Sequence, residues 1–410
     1  MRKMITISLA ALCSTSVFAV VSAPISPASS ASPQPQAKTS VFQQPAENGR
    51  PASISPGAPV LNASGYFLQD VNSGKILASQ NADVRMAPAS LTKLMTLYLA
   101  FEALQANRIH MNDKVTISAD AWKTGGSRMF VKAGDQVALS DLIQGVIVDS
   151  GNDACTALSE YVGGTEAGFV NLMNQQAQLL GMKNTHYVDP TGLPDPNHYS
   201  TPHDLAILAR AMILNFPQYY HFFDEKTFTY NNITQPNRNR LLWSDPTVDG
   251  LKTGHTDAAG YCLVTSADRN NMRLLSVLLG APTDSDRTQF SEDLLNYGYR
   301  FFETHKVYEA GKPIQDAIVY FGQAKLVSVG VARDFYITVP VGQYSKVNTD
   351  FRLHNPLKAP LKQGEAVGTL GATLNGEPLG NENIVALETV QRGGLITRII
   401  SHVKLALGKV

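Results

Sequence analysis

The spacing of apolar and polar positions changes several times along the chain, and those changes divide it. Tyr66-Phe67-Leu68-Gln69-Asp70-Val71 has strand character, Asn72-Ser73-Gly74 is a turn, and Lys75-Ile76-Leu77-Ala78 returns. From Ala87-Pro88-Ala89-Ser90 the period becomes helical. Leu91, Leu94, Met95, Leu97, Tyr98 and Phe101 are its apolar positions, and Pro88 suits a first turn. Helical spacing dominates from 139 to about 214. Strand-type runs return at 251–254, 261–267 and 274–279, and a helix over about 290–303 closes the block. An antiparallel sheet with helices on its faces, an α+β domain over 58–304, is the economical reading.

Beyond Lys306 the runs shorten. Residues 317–320, 326–329 and 335–339 are β-type, and Gly311-Lys312-Pro313 and Asn375-Gly376-Glu377-Pro378 are turns, so 305–392 reads as a small all-β domain. The last stretch, 393–410, is helical again. Leu395, Ile396, Ile399, Ile400, Val403, Ala406, Leu407 and Val410 fall within an arc of roughly 140°. Thr397, Arg398, Ser401, His402, Lys404, Gly408 and Lys409 fill the other side, and Leu405 is the misfit. A basic polar face suits an amphipathic helix lying on an anionic membrane surface. The alternative is a terminal helix packed on its own domain.

Composition adds the ends and excludes a class. Arg2 and Lys3 precede a mostly apolar or small run to Val21, and Val17-Phe18-Ala19 and Val21-Ser22-Ala23 both have small residues where a signal peptidase cuts, the pattern of an export signal over 1–23. Pro24 makes cleavage after Ala19 the better choice. Residues 24–57, rich in Pro, Ser, Ala and Gln, read as a flexible linker. Lys plus Arg is 34 and Asp plus Glu is 34, which gives no basic footprint for nucleic acid. Cys155 and Cys262 make no disulfide framework. They read as buried thiols, with a bridge between them left open. His186, His198 and His203 lack zinc-site spacing and read as loop or core residues; neither a metal nor a cofactor is expected.

The chemistry lies in three short motifs. Ser90 and Lys93, three apart on a helix, share a face. A serine hydroxyl needs a base within hydrogen-bond reach, and a lysine serves if burial and nearby cations depress its pKa. Ser150-Gly151-Asn152 offers a proton relay and an amide. Lys252-Thr253-Gly254 offers positive field, a hydroxyl for a carboxylate and a glycine for close backbone approach. Each pattern alone is weak. Ser401-His402-Val403-Lys404, Ser79-Gln80-Asn81 and Lys123-Thr124-Gly125 repeat them and read as solvated surface or turn. The ordered set is specific because its local structure matches: the nucleophile opens a helix, the second motif precedes one, and the third enters a hairpin.

With Asp149-Ser150-Gly151-Asn152-Asp153-Ala154-Cys155, Asn237-Arg238-Asn239 and Asp249-Gly250-Leu251-Lys252-Thr253-Gly254-His255-Thr256, the trio resembles the low-molecular-mass penicillin-binding proteins of the type 5 D-alanyl-D-alanine carboxypeptidases. The resemblance covers nearly the whole chain after the linker. It implies a penicillin-binding protein / β-lactamase-like transpeptidase domain, then the all-β domain and the terminal helix. It also implies that Ser90 attacks the carbonyl between two D-alanines, that Lys93 is the base and that Ser150 relays the proton. Asn152 holds the substrate backbone, Lys252 stabilises charge, and Thr253 meets the terminal carboxylate with Arg287 and Arg238 as cationic support. Gly254 lies under the substrate, and the N–H groups of Ser90 and His255 form the oxyanion hole. The implied partners are peptidoglycan stem peptides, β-lactam antibiotics as covalent inhibitors and, through 393–410, the periplasmic face of the inner membrane. Two departures are Pro282, where the family often has an arginine-containing turn, and Cys262, where it is often polar. The rival readings are a D,D-endopeptidase, a β-lactamase and a wall-binding scaffold. Class A lactamases use a glutamate with a water to deacylate, and 189–195 holds no Glu.

Overall fold

A computed structural model of the chain describes residues 57–407. The expected export signal and all but the last residue of the expected linker lie outside the described residues. Strands β1 (Gly65–Asp70) and β2 (Ile76–Gln80) form the first hairpin. Helix α1 (Lys93–Gln105) follows a single 3₁₀ turn, Ala89–Thr92. Helices α2 (Asn152–Gly163), α3 (Glu166–Leu180) and α4 (Pro202–Asn215) fill the middle of the chain. Strands β3 (Val248–Thr256), β4 (Gly260–Arg269) and β5 (Met272–Ala281) then return beside the first hairpin. The antiparallel sheet runs β2-β1-β5-β4-β3.

Strand alternation separates two cores. Phe67, Leu275, Val277 and Leu279 face the helices α1 to α4. Tyr66, Leu68, Leu274 and Leu278 face helix α5 (Asp284–Phe301). A strand buried on both faces reads as a near-continuous apolar run, as Leu274 to Leu279 does apart from Ser276. Helix α1 is covered on all sides: eleven of its thirteen residues are buried, so it is the pillar of the helical half.

Helix α5 starts at Asp284, not near Phe290. Asp284, Asp286 and Gln289 break the apolar period there, but Thr283 accepts the Asp286 N–H and caps the helix. The helix also ends earlier, because Phe302 opens strand β6 (Phe302–Tyr308).

The β module holds β7 (Gln315–Tyr320), β8 (Leu326–Val331), β9 (Phe335–Pro340), β10 (Val347–Leu353), β11 (Leu357–Lys358), β12 (Ala366–Leu374) and β13 (Glu377–Ala386). Strand β6 pairs with β9, and the larger sheet runs β10-β12-β13-β8-β7-β11. Val327, Val329, Ile337, Leu370 and Ile384 are its core. Buried Asp70 at the end of β1 joins the modules: it accepts from Ser73 and from Thr304 Oγ1, which bonds Thr338 Oγ1.

The terminal helix, α6 (Leu395–Ala406), sits on the β module by a stripe one residue wide. Ser401 is buried and its Oγ accepts the Phe321 N–H at 2.9 Å; Thr397 and Leu405, one turn to either side, are half-buried. The apolar misfit Leu405 therefore belongs to the covered stripe. Ser401 is not solvated surface, a correction to the sequence expectation: the Phe321 N–H needs an acceptor, and Ser401 Oγ supplies it. Leu395, Ile396, Ile399, Ile400, Val403 and Leu407 are exposed.

Candidate active site

The loop at 189–192 and strand β3 close on the turn that carries Ser90. Ser90 lies in the 3₁₀ turn that leads into α1, after Ala89 in the left-handed region at φ +48°. Two glycines let the backbone close around this turn. A Cβ on Gly192 would stand 1.9 Å from Ala89 O, and one on Gly254 would stand 3.1 Å from Pro88 O and 3.2 Å from Ser90 N. Strand β3, at the sheet edge, thus runs directly past the serine.

Lys93 is fully buried in the first turn of α1. Its Nζ donates to Ser90 Oγ at 2.8 Å and to Thr191 O at 3.0 Å. Burial pushes its pKa down to about 8. Lys252, buried on β3 with its Nζ on Thr253 O, is held well below the usual lysine range by burial and then by the Lys93 cation, Arg238 and Arg287. Two buried ammonium groups resist being charged together.

Ser150 is buried in the left-handed region at φ +57°, between a π-turn at Gly145–Asp149 and the N-terminus of α2. A π-turn inside a helical stretch is a frequent mark of a functional segment. Helix α2 packs against α1. Asn152 opens it, donating its Nδ2–H to Gly125 O at 2.6 Å and its backbone N–H to Ser127 O. The motif copy at Lys123-Thr124-Gly125 is a helix end and turn, but it is not idle surface: Gly125 O is what holds the Asn152 amide. Thr253 and Gly254 are buried on β3, and His255 is exposed with its ring 4.1 Å from Tyr261.

The two arginines part company. Arg287 is buried, paired with Asp284, 5.6 Å over the Tyr261 ring, with Nη1 3.5 Å from Gly254 O. Arg238 is exposed and its Nη1 donates to Ser127 Oγ at 2.8 Å, so it braces the same loop as Asn152. A pocket of about 470 Å³ beside β3 is lined by Arg238, Arg240, Arg287, His255, Tyr261 and Trp243 among others.

Several residues here have no place in the three motifs. Asp153 accepts the N–H groups of Met129, Phe130, Val131 and Ala154 and clamps that loop to α2. Its position in the first turn of a helix is a legible acid signal. Asp189 accepts from Thr191 N, Thr191 Oγ1 and Gly192 N, an Asx turn that the string Asp-Pro-Thr-Gly announces. Cys155 places its Sγ 3.0 Å from Pro190 O; it and Cys262 are free and buried, so they are not bridged. His198 is buried within hydrogen-bond reach of Thr92. Asp149 is buried with Oδ1 unpartnered, and burial raises its carboxyl to about 7.

The comparisons with known proteins decide the family. A family model described as D-alanyl-D-alanine carboxypeptidase matches residues 52–283. The chain belongs to that family. A second model, described as the C-terminal domain of penicillin-binding protein 5, matches 302–392. The D-alanyl-D-alanine carboxypeptidase DacC of Escherichia coli (strain K12) is 45% identical over 356 residues, 85% of this chain and 89% of that protein. The crystal structure of penicillin-binding protein 5 from Haemophilus influenzae is 44% identical, covers 82% of this chain and 100% of that one, and superposes with a TM-score of 0.76. Penicillin-binding protein D2 from Listeria monocytogenes, solved in an ampicillin-bound form, is 32% identical over 60% of this chain and all of its own, with a TM-score of 0.55.

Proposed function

We propose that this member of the family is a serine-type carboxypeptidase that removes the terminal D-alanine from peptidoglycan pentapeptide stems through an acyl-enzyme on Ser90. The 2.8 Å contact between Lys93 Nζ and Ser90 Oγ carries the reading, because it joins a nucleophile to a base whose pKa is brought to about 8. Neutral Lys93 takes the Ser90 proton as Oγ bonds to the carbonyl carbon between the two D-alanines. The oxyanion falls to the N–H groups of Ser90 and His255. The C–N bond then breaks, and the amine of the departing D-alanine receives a proton through Ser150. Water hydrolyses the ester. Asn152 and the free edge of β3 hold the stem peptide as an added strand. Thr253 and Arg287 take the terminal carboxylate, with Lys252 supplying positive field and Arg238 holding the loop that orients Asn152.

A β-lactam enters the same step, but its acyl-enzyme persists. The two carboxylates whose charge bears on Lys93 are committed: Asp153 to four N–H groups, Asp189 to the Thr191 turn. Neither is free to drive a water. Mass spectrometry of the penicillin-treated protein should place a stable adduct on the peptide holding Ser90. Ser90→Ala should abolish labelling while leaving the melting temperature intact, and the wild type should release free D-alanine from a pentapeptide. Rapid penicillin turnover, or labelling that survives the substitution, would overturn the assignment.

Export and anchoring belong to the same proposal. Arg2 and Lys3 with the following apolar run direct the chain to the periplasm. Among the described residues no helix is long and apolar enough to cross a membrane. The exposed apolar face of α6, with Arg398 and Lys404 beside it, suits a peripheral seat on the inner membrane.

A further inference from the structure

We propose that His198 is a positioning residue for the reaction: through Asp189 it fixes the loop whose Thr191 carbonyl holds the Lys93 ammonium, and through Thr92 it ties that loop to the turn carrying Ser90. The inference rests on the reading that Lys93 is the base for Ser90.

The chain of contacts is closed. Lys93 Nζ donates to Ser90 Oγ at 2.8 Å and to Thr191 O at 3.0 Å. Thr191 is placed by Asp189 Oδ1, which accepts its N–H and its hydroxyl at 2.6 Å each and the Gly192 N–H at 2.8 Å. The other oxygen, Asp189 Oδ2, lies 3.2 Å from His198 Nδ1. On the far side of the ring, His198 Nε2 lies 2.8 Å from Thr92 Oγ1, and Thr92 stands between Ser90 and Lys93 in the chain. Thr92, Thr191 and His198 are all buried.

The ring's tautomer follows from its neighbours. Burial raises the Asp189 carboxyl, but hydrogen bonds from His198 and Thr191 outweigh it and hold the group well below the usual carboxylate range. An ionised carboxylate requires a proton on Nδ1. Nε2 is then left to face the Thr92 hydroxyl. The Val188 N–H also approaches Nδ1, at 3.4 Å, but the shorter contact to a charged group decides the donor. Hydroxyl, imidazole and carboxylate thus stand in the order of a serine-protease triad. Thr92 is fully buried and no substrate reaches it, so the arrangement does not attack anything. It acts as a brace between α1 and the 188–192 loop.

The brace affects chemistry because Lys93 has two acceptors. Thr191 O turns the ammonium toward Ser90, and the Asp189 carboxylate held by the same loop opposes the burial that brings the lysine down to about 8. Loosening the loop misaims Nζ and lowers its pKa together. A placement error of this kind costs on the order of tenfold or more in rate.

The test is the second-order rate of acylation by a penicillin, measured from pH 6 to 10 on wild type, His198→Ala and His198→Gln, with melting temperatures. Glutamine can donate to Asp189 and accept from Thr92, so it retains the brace without the ring. His198→Ala should acylate about tenfold more slowly with its pH midpoint moved down, and His198→Gln should recover most of both. If His198→Ala is unfolded, Thr92→Val, which removes only the hydroxyl contact, should show the same downward midpoint. Wild-type rate and midpoint in a folded His198→Ala, or in Thr92→Val where it stands in, would overturn the inference. So would a rate loss with an unmoved midpoint that glutamine does not rescue. Failure of the wild type itself to label at Ser90 would instead overturn the reading of the base.

Discussion

On the proposed reading of Lys93 as the base, its proton sets the pace of the chemistry. An ordinary lysine leaves less than about a thousandth of its molecules neutral at pH 7, whereas one near 8 leaves roughly a tenth. Acylation by penicillin should therefore climb with pH, tenfold per unit, and level off above about 8. The sign is fixed by which form is the base: the depressed pKa enlarges the reactive neutral fraction at neutral pH. Stopped-flow acylation across pH 6 to 10 checks it, and a midpoint near 10 would contradict the burial argument. Lys93→Ala should slow acylation by about 10²–10⁴. Ser90 and Lys93 were legible because three residues of helix suffice to bring them together. Asp189 and His198 were not: the Lys93–Thr191 and Thr92–His198 contacts span 98 and 106 residues, and only the folded sheet and helices bring them together. A lone buried histidine carries no spacing to read. The arginines show the same limit, since nothing local separates Arg287, buried against Gly254, from Arg238, exposed against Ser127.

Among the elements, the first hairpin, α1, the β3–β4 hairpin and the terminal helix were legible from period alone, since each has a clear apolar pattern. The start of α5 was lost because acidic residues dilute its first turns, and the direction in which α6 docks was lost because periodicity gives two faces without saying which is covered. The structure covers Thr397, Ser401 and Leu405 and leaves the broad apolar face open. That arrangement predicts how variants separate. Ile396→Glu with Ile399→Glu should abolish flotation with anionic phospholipid vesicles while leaving the melting temperature unchanged, because substitutions at exposed positions cost within about 0.5 kcal/mol. Removing 393–410 should likewise release the protein to the soluble fraction. Leu405→Ala should leave vesicle binding in place and loosen only the seat on the β module. Vesicle binding that survives both glutamates would refute the membrane-facing reading of this face. Binding of the wild type should also weaken as salt rises, since part of it comes from Arg398 and Lys404.

At the scale of the whole molecule, Asp70 is the group on which the two modules meet. No sequence signal marks it; an acid ending an apolar strand reads as the start of a turn, and its Asn72-Ser73-Gly74 sequel strengthens that impression. In the fold the carboxylate is fully buried and accepts from Ser73 on one side and Thr304 on the other, and Thr338 bonds both of those hydroxyls. Burial raises its pKa above 3.8 despite these bonds. The folded state therefore binds its proton more tightly than the unfolded chain, and its contribution to stability declines as pH rises from 3.8 through the raised value. Asp70→Ala removes the acceptor of the Ser73 N–H and of the Ser73 and Thr304 hydroxyls, leaving the hydroxyls only Thr338, and should cost about 1–3 kcal/mol. Asp70→Asn keeps one acceptor and discards the buried charge, so it should retain more of the stability than alanine and flatten the pH dependence of melting between acid and neutral pH. Penicillin acylation should survive in both, because β1 lies three strands from β3, roughly 14 Å across the sheet. Melting curves over that pH range, read beside acylation rates at 25 °C, separate the outcomes. Equal melting temperatures for alanine and wild type would show that the modules are held by something other than this carboxylate, and a collapse of acylation with intact melting would show that the junction reaches the Ser90 site after all.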